Sequence, residues 1–353
     1  MLAAYFTGQK KFEIRENKNF DCPANGLIVK INACAICGTD LRVVEQADVK
    51  MGKWDIRFMP LPRIIGHEFS GTISEVGKDI SGFTRGENVV IAPTIPCMSC
   101  LMCDRGFFEM CENLYVISYD CDGGFAEYCV IDSRIVNGNC VLKIDDTEDL
   151  DPFAMAEPLS CGIHCFHLSP VRKGDIVVII GSGPLGCFVA ELAKIYGAGK
   201  TIITGRSRDK LKRAEICDPD VTVQGTGDAL KQRIFELTNG GGADLVITAC
   251  STPQAQQDAL SIVARHGTIN FFSGLSRNNS IVSIDTNLIH YREITIKGTH
   301  GSKPEQVKEA VSLIKNNIIN MKKYISHQFH LKDIDKAFNQ AFSGGRLKIL
   351  VKP

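Results

Sequence analysis

The chain has no excess of charge of either sign: forty lysines and arginines stand against forty aspartates and glutamates in 353 residues. It has no long single-sign run either. A phosphate backbone or an anionic membrane surface would therefore meet no counterpart, and nucleic acid and membrane are set aside as partners. No apolar stretch approaches the roughly 18 residues that a membrane span requires. The opening MLAAYFTGQKKFEIRE lacks a basic region ahead of its brief apolar patch and lacks a cleavage pattern, so it does not read as a secretory signal. Internal repeats, low-complexity tracts and an obvious flexible linker are also absent. What remains is compact domains, and this length suggests about two of them.

Cysteine, by contrast, is abundant, with fifteen residues. In a long chain without an export signal these are expected as reduced thiols in a cytoplasmic protein, and any closely spaced set as a metal site. The segment CMSCLMCDRGFFEMC supplies such a set in Cys97, Cys100, Cys103 and Cys111. Four soft ligands close a tetrahedron around zinc with no vacancy for substrate, so the expected ion there is structural.

Up to about residue 150, short apolar runs such as FSGTISEV, GENVVIAP and GFAEYCVID alternate with Gly, Pro and Asp, which is the grammar of strands and turns. From Pro170 onward the pattern changes. KGDIVVIIGSGPLG reads as a buried strand ending in glycines, CFVAELAKIYGAG as a helix with a glycine stop, and KTIITGR as a second strand. ADLVITAC and GTINFFSGL continue the strands, with DKLKRAEI and PQAQQDALSIVA as helices between them. Alternation of this kind predicts an α/β fold with a doubly wound parallel sheet. EITIKGTH, the amphipathic PEQVKEAVSLIKNNI and RLKILVKP follow, and this tail is expected to rejoin the first domain.

Gly181, Gly183 and Gly186 form GxGxxG where the first strand meets the helix. The first glycine permits the tight turn, the second lets a pyrophosphate approach the backbone, and the third lets helix and strand pack closely. With strand, helix and second strand in place, the motif predicts dinucleotide binding. Roughly 20 residues on, an NAD-binding unit usually carries an acid that holds the ribose hydroxyls. This chain has Gly205 there, followed by Arg206, Ser207, Arg208 and Lys210. The missing carboxylate removes repulsion toward a 2′-phosphate and the guanidinium groups can grip one, which favours NADP over NAD. A merely solvated helix start would leave that choice open.

Cys37 in AICGTD, His67 and Glu68 in GHEFSG, and Glu157 in AMAEPLSCGIH offer the ligand types of a catalytic zinc with an open position. GHEFSGTISEVGKDI, with Gly66, His67, Glu68, Gly71 and Gly77, resembles the zinc signature of the medium-chain dehydrogenase/reductase family. ICGTD, the cysteine cluster, GGFAEY and the glycine-rich unit recur in that family's order, and the resemblance covers essentially the whole chain. EPLSCGIH looks like the sorbitol (L-iditol) and related polyol dehydrogenases, near threonine and galactitol-phosphate dehydrogenases.

The resemblance implies a GroES-like β domain at 1–155, a Rossmann domain at 156–290 and a return to the first domain at 291–353, with the active site in the cleft. It implies two zinc ions per chain: a catalytic one on Cys37, His67 and Glu68, with Glu157 bound directly or through water, and a structural one on the four-cysteine loop. Cys161 is the rival thiol. The implied reaction moves a hydride between NAD(P) and a secondary alcohol or ketone of a polyol, sugar alcohol or phosphorylated relative; the alternative is L-threonine or an amino alcohol. Thr39 matches the hydroxyl that begins the family's proton relay. Where sorbitol and threonine dehydrogenases typically have His three residues later, this chain has Arg42, which cannot exchange a proton near neutral pH. Arg42 is expected either at an acidic group of substrate or cofactor or simply on the helix surface. Substrate recognition is expected partly from Asp48 to Phe58. The resemblance also implies a homodimer or homotetramer paired through the edge of the Rossmann sheet, for which VSIDTNLI is the candidate.

Overall fold

The computed structural model describes residues 1–17, 20–46, 59–144 and 147–353. The segment Asp48 to Phe58, expected to help choose the substrate, lies outside the described residues. The chain divides into two compact units, one formed by Met1–Ser160 with Ser302–Pro353 and the other by Cys161–Gly301. Among the described residues no helix is long and apolar enough to cross a membrane.

The first unit is organised around the strand Leu27–Ala35, LIVKINACA, whose side chains are buried along nearly its whole length. Such a near-continuous apolar run suits a strand covered on both faces. It pairs antiparallel with Glu68–Val76, with Tyr128–Ile131 and with the C-terminal strand Lys348–Lys352. That C-terminal strand in turn runs parallel to Ile325–His330. Register matters most at one end of this sheet. Ala35 stands opposite Glu68 on one side and opposite Leu350 on the other, so segments from three distant parts of the sequence end at the same place.

A second local arrangement positions the cysteine loop. Thr94–Ile95 pairs antiparallel with Tyr115–Val116, which closes the two ends of the loop on each other. Lys303, at the start of the Pro304–Lys315 helix, donates through Nζ to the Gly106 carbonyl at 2.6 Å and lies 3.8 Å from a Glu109 carboxylate oxygen.

In the second unit six strands form a parallel sheet in the order Val221–Gln224, Lys200–Gly205, Ile176–Ile180, Ala243–Thr248, Val263–Phe271 and Thr295–Gly298. Val178, Ile180, Ile202, Val246 and Ile269 lie in one buried cluster with residues of the flanking helices such as Leu230, Ile234 and Ala259. Alternating β and α text thus gives the doubly wound architecture it predicts. Two expectations need correction. EITIKGTH does not begin the return to the first unit: its Thr295–Gly298 pairs with Val263–Phe271 as the outermost strand of the parallel sheet. Nor is VSIDTNLI that edge, because Asp285 accepts a hydrogen bond from the Asn287 N–H and caps a helix, Thr286–Arg292, that absorbs the second half of the segment.

Candidate metal and cofactor sites

The register described above delivers Cys37, His67 and Glu68 to one spot. Cys37 follows the Leu27–Ala35 strand immediately before the helix Gly38–Gln46, while Glu68 opens the strand paired with it. Gly66, just before His67, has φ +96°, and a Cβ there would lie 2.7 Å from Cys34 Sγ and 2.9 Å from the Phe125 ring. Only glycine lets the chain make this approach without displacing packed side chains. One sulfur, one ring nitrogen and one carboxylate oxygen of Cys37, His67 and Glu68 all fall within 4.8 Å of one another.

Around this triad the structure supplies partners that sequence reasoning did not identify. Asp40, buried in the first helical turn, accepts the Cys37 N–H at 2.9 Å through one oxygen, and its other oxygen lies 3.4 Å from His67 Nδ1. A carboxylate on one ring nitrogen fixes the ring and leaves the other nitrogen to a metal. Burial opposes charge on His67, but Asp40 and Cys37 outweigh it and raise the ring's pKa well above the ordinary histidine value. Lys348, the first residue of the C-terminal strand, forms an ion pair with Glu68 Oε2. Glu68 is 1% exposed, and its Oε1 is buried without a hydrogen-bond partner. A soft sulfur, an imidazole and a bare buried carboxylate oxygen in this geometry suit a divalent cation of zinc type.

Other expected residues distribute as follows. The Thr39 N–H points at Cys37 Sγ at 3.4 Å, and an Arg42 guanidinium nitrogen donates to Thr39 Oγ1 at 3.3 Å. Tyr119 comes close enough to His67, Asp40, Cys37 and Arg42 to feel their charges, and burial raises its phenol pKa. Glu157 sits in the first turn of Ala156–Leu168. It is not one of the triad whose ligand atoms converge, although its charge acts on Lys348.

Cys97, Cys100, Cys103 and Cys111 form the second convergent group. Cys100 Sγ is 3.6 Å from Cys103 Sγ and 3.8 Å from Cys111 Sγ. Tetrahedral zinc with thiolates at its usual bond length requires sulfur separations of about 3.8 Å, whereas a disulfide requires about 2.05 Å. The spacing is that of a metal cluster, and its thiols are free. Ser99, through amide and hydroxyl, lowers Cys97 to about 6, while burial pushes Cys111 up to about 12.

In the parallel-sheet unit the glycine motif behaves as its spacing predicts. A Cβ on Gly186 would lie 1.9 Å from the Gly181 carbonyl oxygen, so the helix packs against the strand end at backbone distance. A Cβ on Gly183 would meet nothing within 4 Å. Gly183 also caps the helix Pro184–Ile195 without a side-chain hydrogen bond. Open space beside an uncapped helix N-terminus fits a pyrophosphate. Gly205 ends the second strand; Ser207 caps the next helix by accepting the Lys210 N–H, and Arg206, Arg208 and Lys210 are exposed around it.

A parallel sheet with this phosphate cradle and a β unit with a Cys-His-Glu triad and a four-cysteine loop define a metal-dependent, nicotinamide-type dehydrogenase. Comparison with known proteins agrees. Residues 23–141 match the family described as "Alcohol dehydrogenase GroES-like domain" and residues 184–316 the family "Zinc-binding dehydrogenase". The sorbitol dehydrogenase of Halalkalibacterium halodurans is 28% identical over 349 residues, covering 98% of this chain and 97% of its own. The L-threonine 3-dehydrogenase of Bacillus subtilis is 30% identical over 331 residues, covering 93% and 91%. A zinc-binding dehydrogenase of Sinorhizobium meliloti, solved bound to NADP, superposes with a TM-score of 0.89 at 27% identity, covering 100% of this chain and 99% of that one. The chain belongs to the zinc-dependent medium-chain dehydrogenase/reductase family, with GroES-like and Rossmann-type domains. It is an oxidoreductase of the alcohol dehydrogenase type that uses zinc and a nicotinamide cofactor on small molecules.

Proposed function

We propose that the enzyme interconverts a secondary alcohol and its ketone on a polyol, a sugar alcohol or a phosphorylated relative, with NADP preferred over NAD. The observation that carries this reading is the convergence of Cys37, His67 and Glu68 within 4.8 Å, with Asp40 braced against the histidine. Zinc held there would supply Lewis acidity toward a substrate hydroxyl or carbonyl oxygen, and a nicotinamide bound at the glycine-rich turn would supply hydride chemistry. Cys37, His67 and Glu68 would hold the ion, with Glu157, outside the triad, bound to it directly or through water.

Thr39 provides the hydroxyl beside the reacting oxygen. Because Arg42 donates to Thr39 Oγ1, one acceptor position of that hydroxyl is filled and its own O–H remains to be given toward substrate. A guanidinium does not exchange a proton near neutral pH, so the relay that a histidine would complete does not pass through this position.

Preference for NADP is supported by Gly205 in place of an acid and by the exposed Arg206, Arg208 and Lys210 at the helix start. We assign Gly181, Gly183 and Gly186 to the pyrophosphate and Ser207 to the edge of the phosphate site. A second zinc is assigned to Cys97, Cys100, Cys103 and Cys111 on the sulfur separations. For the oligomer, a homodimer or homotetramer, the outer edge of Thr295–Gly298 is the pairing surface; Tyr291, 74% exposed, lies beside it in sequence.

The similarity to a threonine dehydrogenase sustains one second reading, L-threonine as substrate. A panel of polyols, their phosphate esters and L-threonine, assayed with both cofactors, separates the two. Strong threonine turnover without polyol activity would overturn the polyol assignment.

A further inference from the structure

Lys348 is only 5% exposed, an unusual place for an ammonium. Burial favours its neutral form, but Glu68, Cys37 and Glu157 outweigh that effect and raise its pKa above the ordinary lysine value. Its Nζ donates to Glu68 Oε2 and, at 3.2 Å, to the carbonyl of Ile36. The backbone locks the same place, since the Ile36 N–H donates to the Ile349 carbonyl at 2.9 Å. The cation is therefore fixed to the strand end that carries the metal triad, not hung from a mobile stem.

What this does to Glu68 follows from donor geometry. A carboxylate has two oxygens, and here one is taken by the ammonium while the other, Oε1, is buried and bare. An ammonium is a point donor and can occupy Oε2 without touching Oε1. A guanidinium is a planar fork that engages both oxygens of a carboxylate in parallel. We propose that Lys348 is a positioning residue for the metal-binding carboxylate: it anchors Glu68 through Oε2 so that Oε1 alone faces the ion, and lysine at this position is what keeps Glu68 available as a ligand. The proposal rests on the assignment of Cys37, His67 and Glu68 to a metal, and it names a residue far outside that motif as the determinant of its coordination.

The test uses the full-length enzyme loaded with zinc or with cobalt(II), whose visible spectrum reports coordination. The wild type is expected to hold two ions per chain. Lys348→Arg preserves a buried ion pair and is expected to fold, yet to lose most of one ion per chain and to show an altered cobalt spectrum. In Lys348→Met, Glu68 is released from its anchor, and the cobalt spectrum is expected to shift toward higher coordination as both oxygens reach the ion. If Lys348→Met does not fold, the double variant Lys348→Met/Glu68→Gln removes the unpaired charge and the Arg variant carries the test. Two ions per chain and an unchanged cobalt spectrum in a folded Lys348→Arg protein would overturn the role of Lys348 alone. A wild type that binds only one ion would overturn the metal assignment on which it rests.

Discussion

Asp40 Oδ1 lies 3.4 Å from His67 Nδ1 while Asp40 Oδ2 accepts the Cys37 N–H at 2.9 Å, so one buried carboxylate braces two members of the metal triad. Asp40→Asn keeps an oxygen that can accept from Cys37 but loses the anion facing the imidazole. Metal retention at this centre is expected to weaken about 10- to 100-fold, as is usual for an outer partner of a ligating histidine. Equilibrium dialysis against a chelator, followed by metal analysis, measures it. The melting temperature of the metal-loaded variant should stay close to that of the wild type; retention equal to the wild type would show that the Asp40–His67 contact does not matter for the ion.

The cysteine loop is expected to behave differently. Cys100→Ser removes one vertex of a closed cluster whose sulfurs stand 3.6 and 3.8 Å from their neighbours. Stability should fall first, on the order of several kcal/mol because the metal's binding energy is also folding energy, and one ion per chain should be lost. Activity should then follow the folded fraction. Lost turnover with unchanged melting and oligomeric state would instead place chemistry at the loop.

How far the sequence alone reveals this site depends on how its residues are spaced. GHEFSG and ICGTD announce His67, Glu68 and Cys37 because their chemistry is packed into short motifs. Asp40 was in view within ICGTD, three residues after the cysteine, but its bracing role needs the helical turn that folds it back. Lys348 carried no local signal: 280 residues separate it from Glu68, and only the register of Ala35 with Glu68 and Leu350 brings the two together. The parallel sheet was legible from strand and helix alternation. Its last strand was not, since EITIKGTH has the same alternating text whichever sheet it joins. VSIDTNLI is not an edge strand because Asp285 before Asn287 caps a helix within it, a local signal that the edge assignment did not weigh.

At the cofactor end, Arg206→Ala tests whether the exposed basic residues after Gly205 grip a 2′-phosphate. Loss of one charge-assisted contact corresponds to roughly a 10- to 100-fold rise in KM for NADP, with KM for NAD within about twofold. Parallel steady-state kinetics with the two cofactors provide the measurement. An unchanged ratio of the two KM values would leave the basic residues as a solvated helix start.

The pH dependence of stability has a readable contribution from Asp149 and Lys322, whose side chains meet at 2.7 Å. The hydrogen bond from Lys322, followed by that from the Asp151 N–H, lowers the Asp149 pKa below its ordinary value despite partial burial, which acts the other way. A carboxylate whose folded pKa lies below its unfolded one stabilises the protein above the unfolded value, near 4, and loses that contribution as pH falls through the folded value. Both side chains are substantially exposed, Lys322 at 70% and Asp149 at 42%, so solvent and salt leave the pair only a small contribution. Asp149→Asn is therefore expected to lower the urea midpoint slightly at pH 7. The gap to the wild type should narrow as pH falls below 4 and shrink at high salt. A gap that persists unchanged at pH 3 would mean that Asp149 acts through its backbone-facing hydrogen bonds and not through its charge.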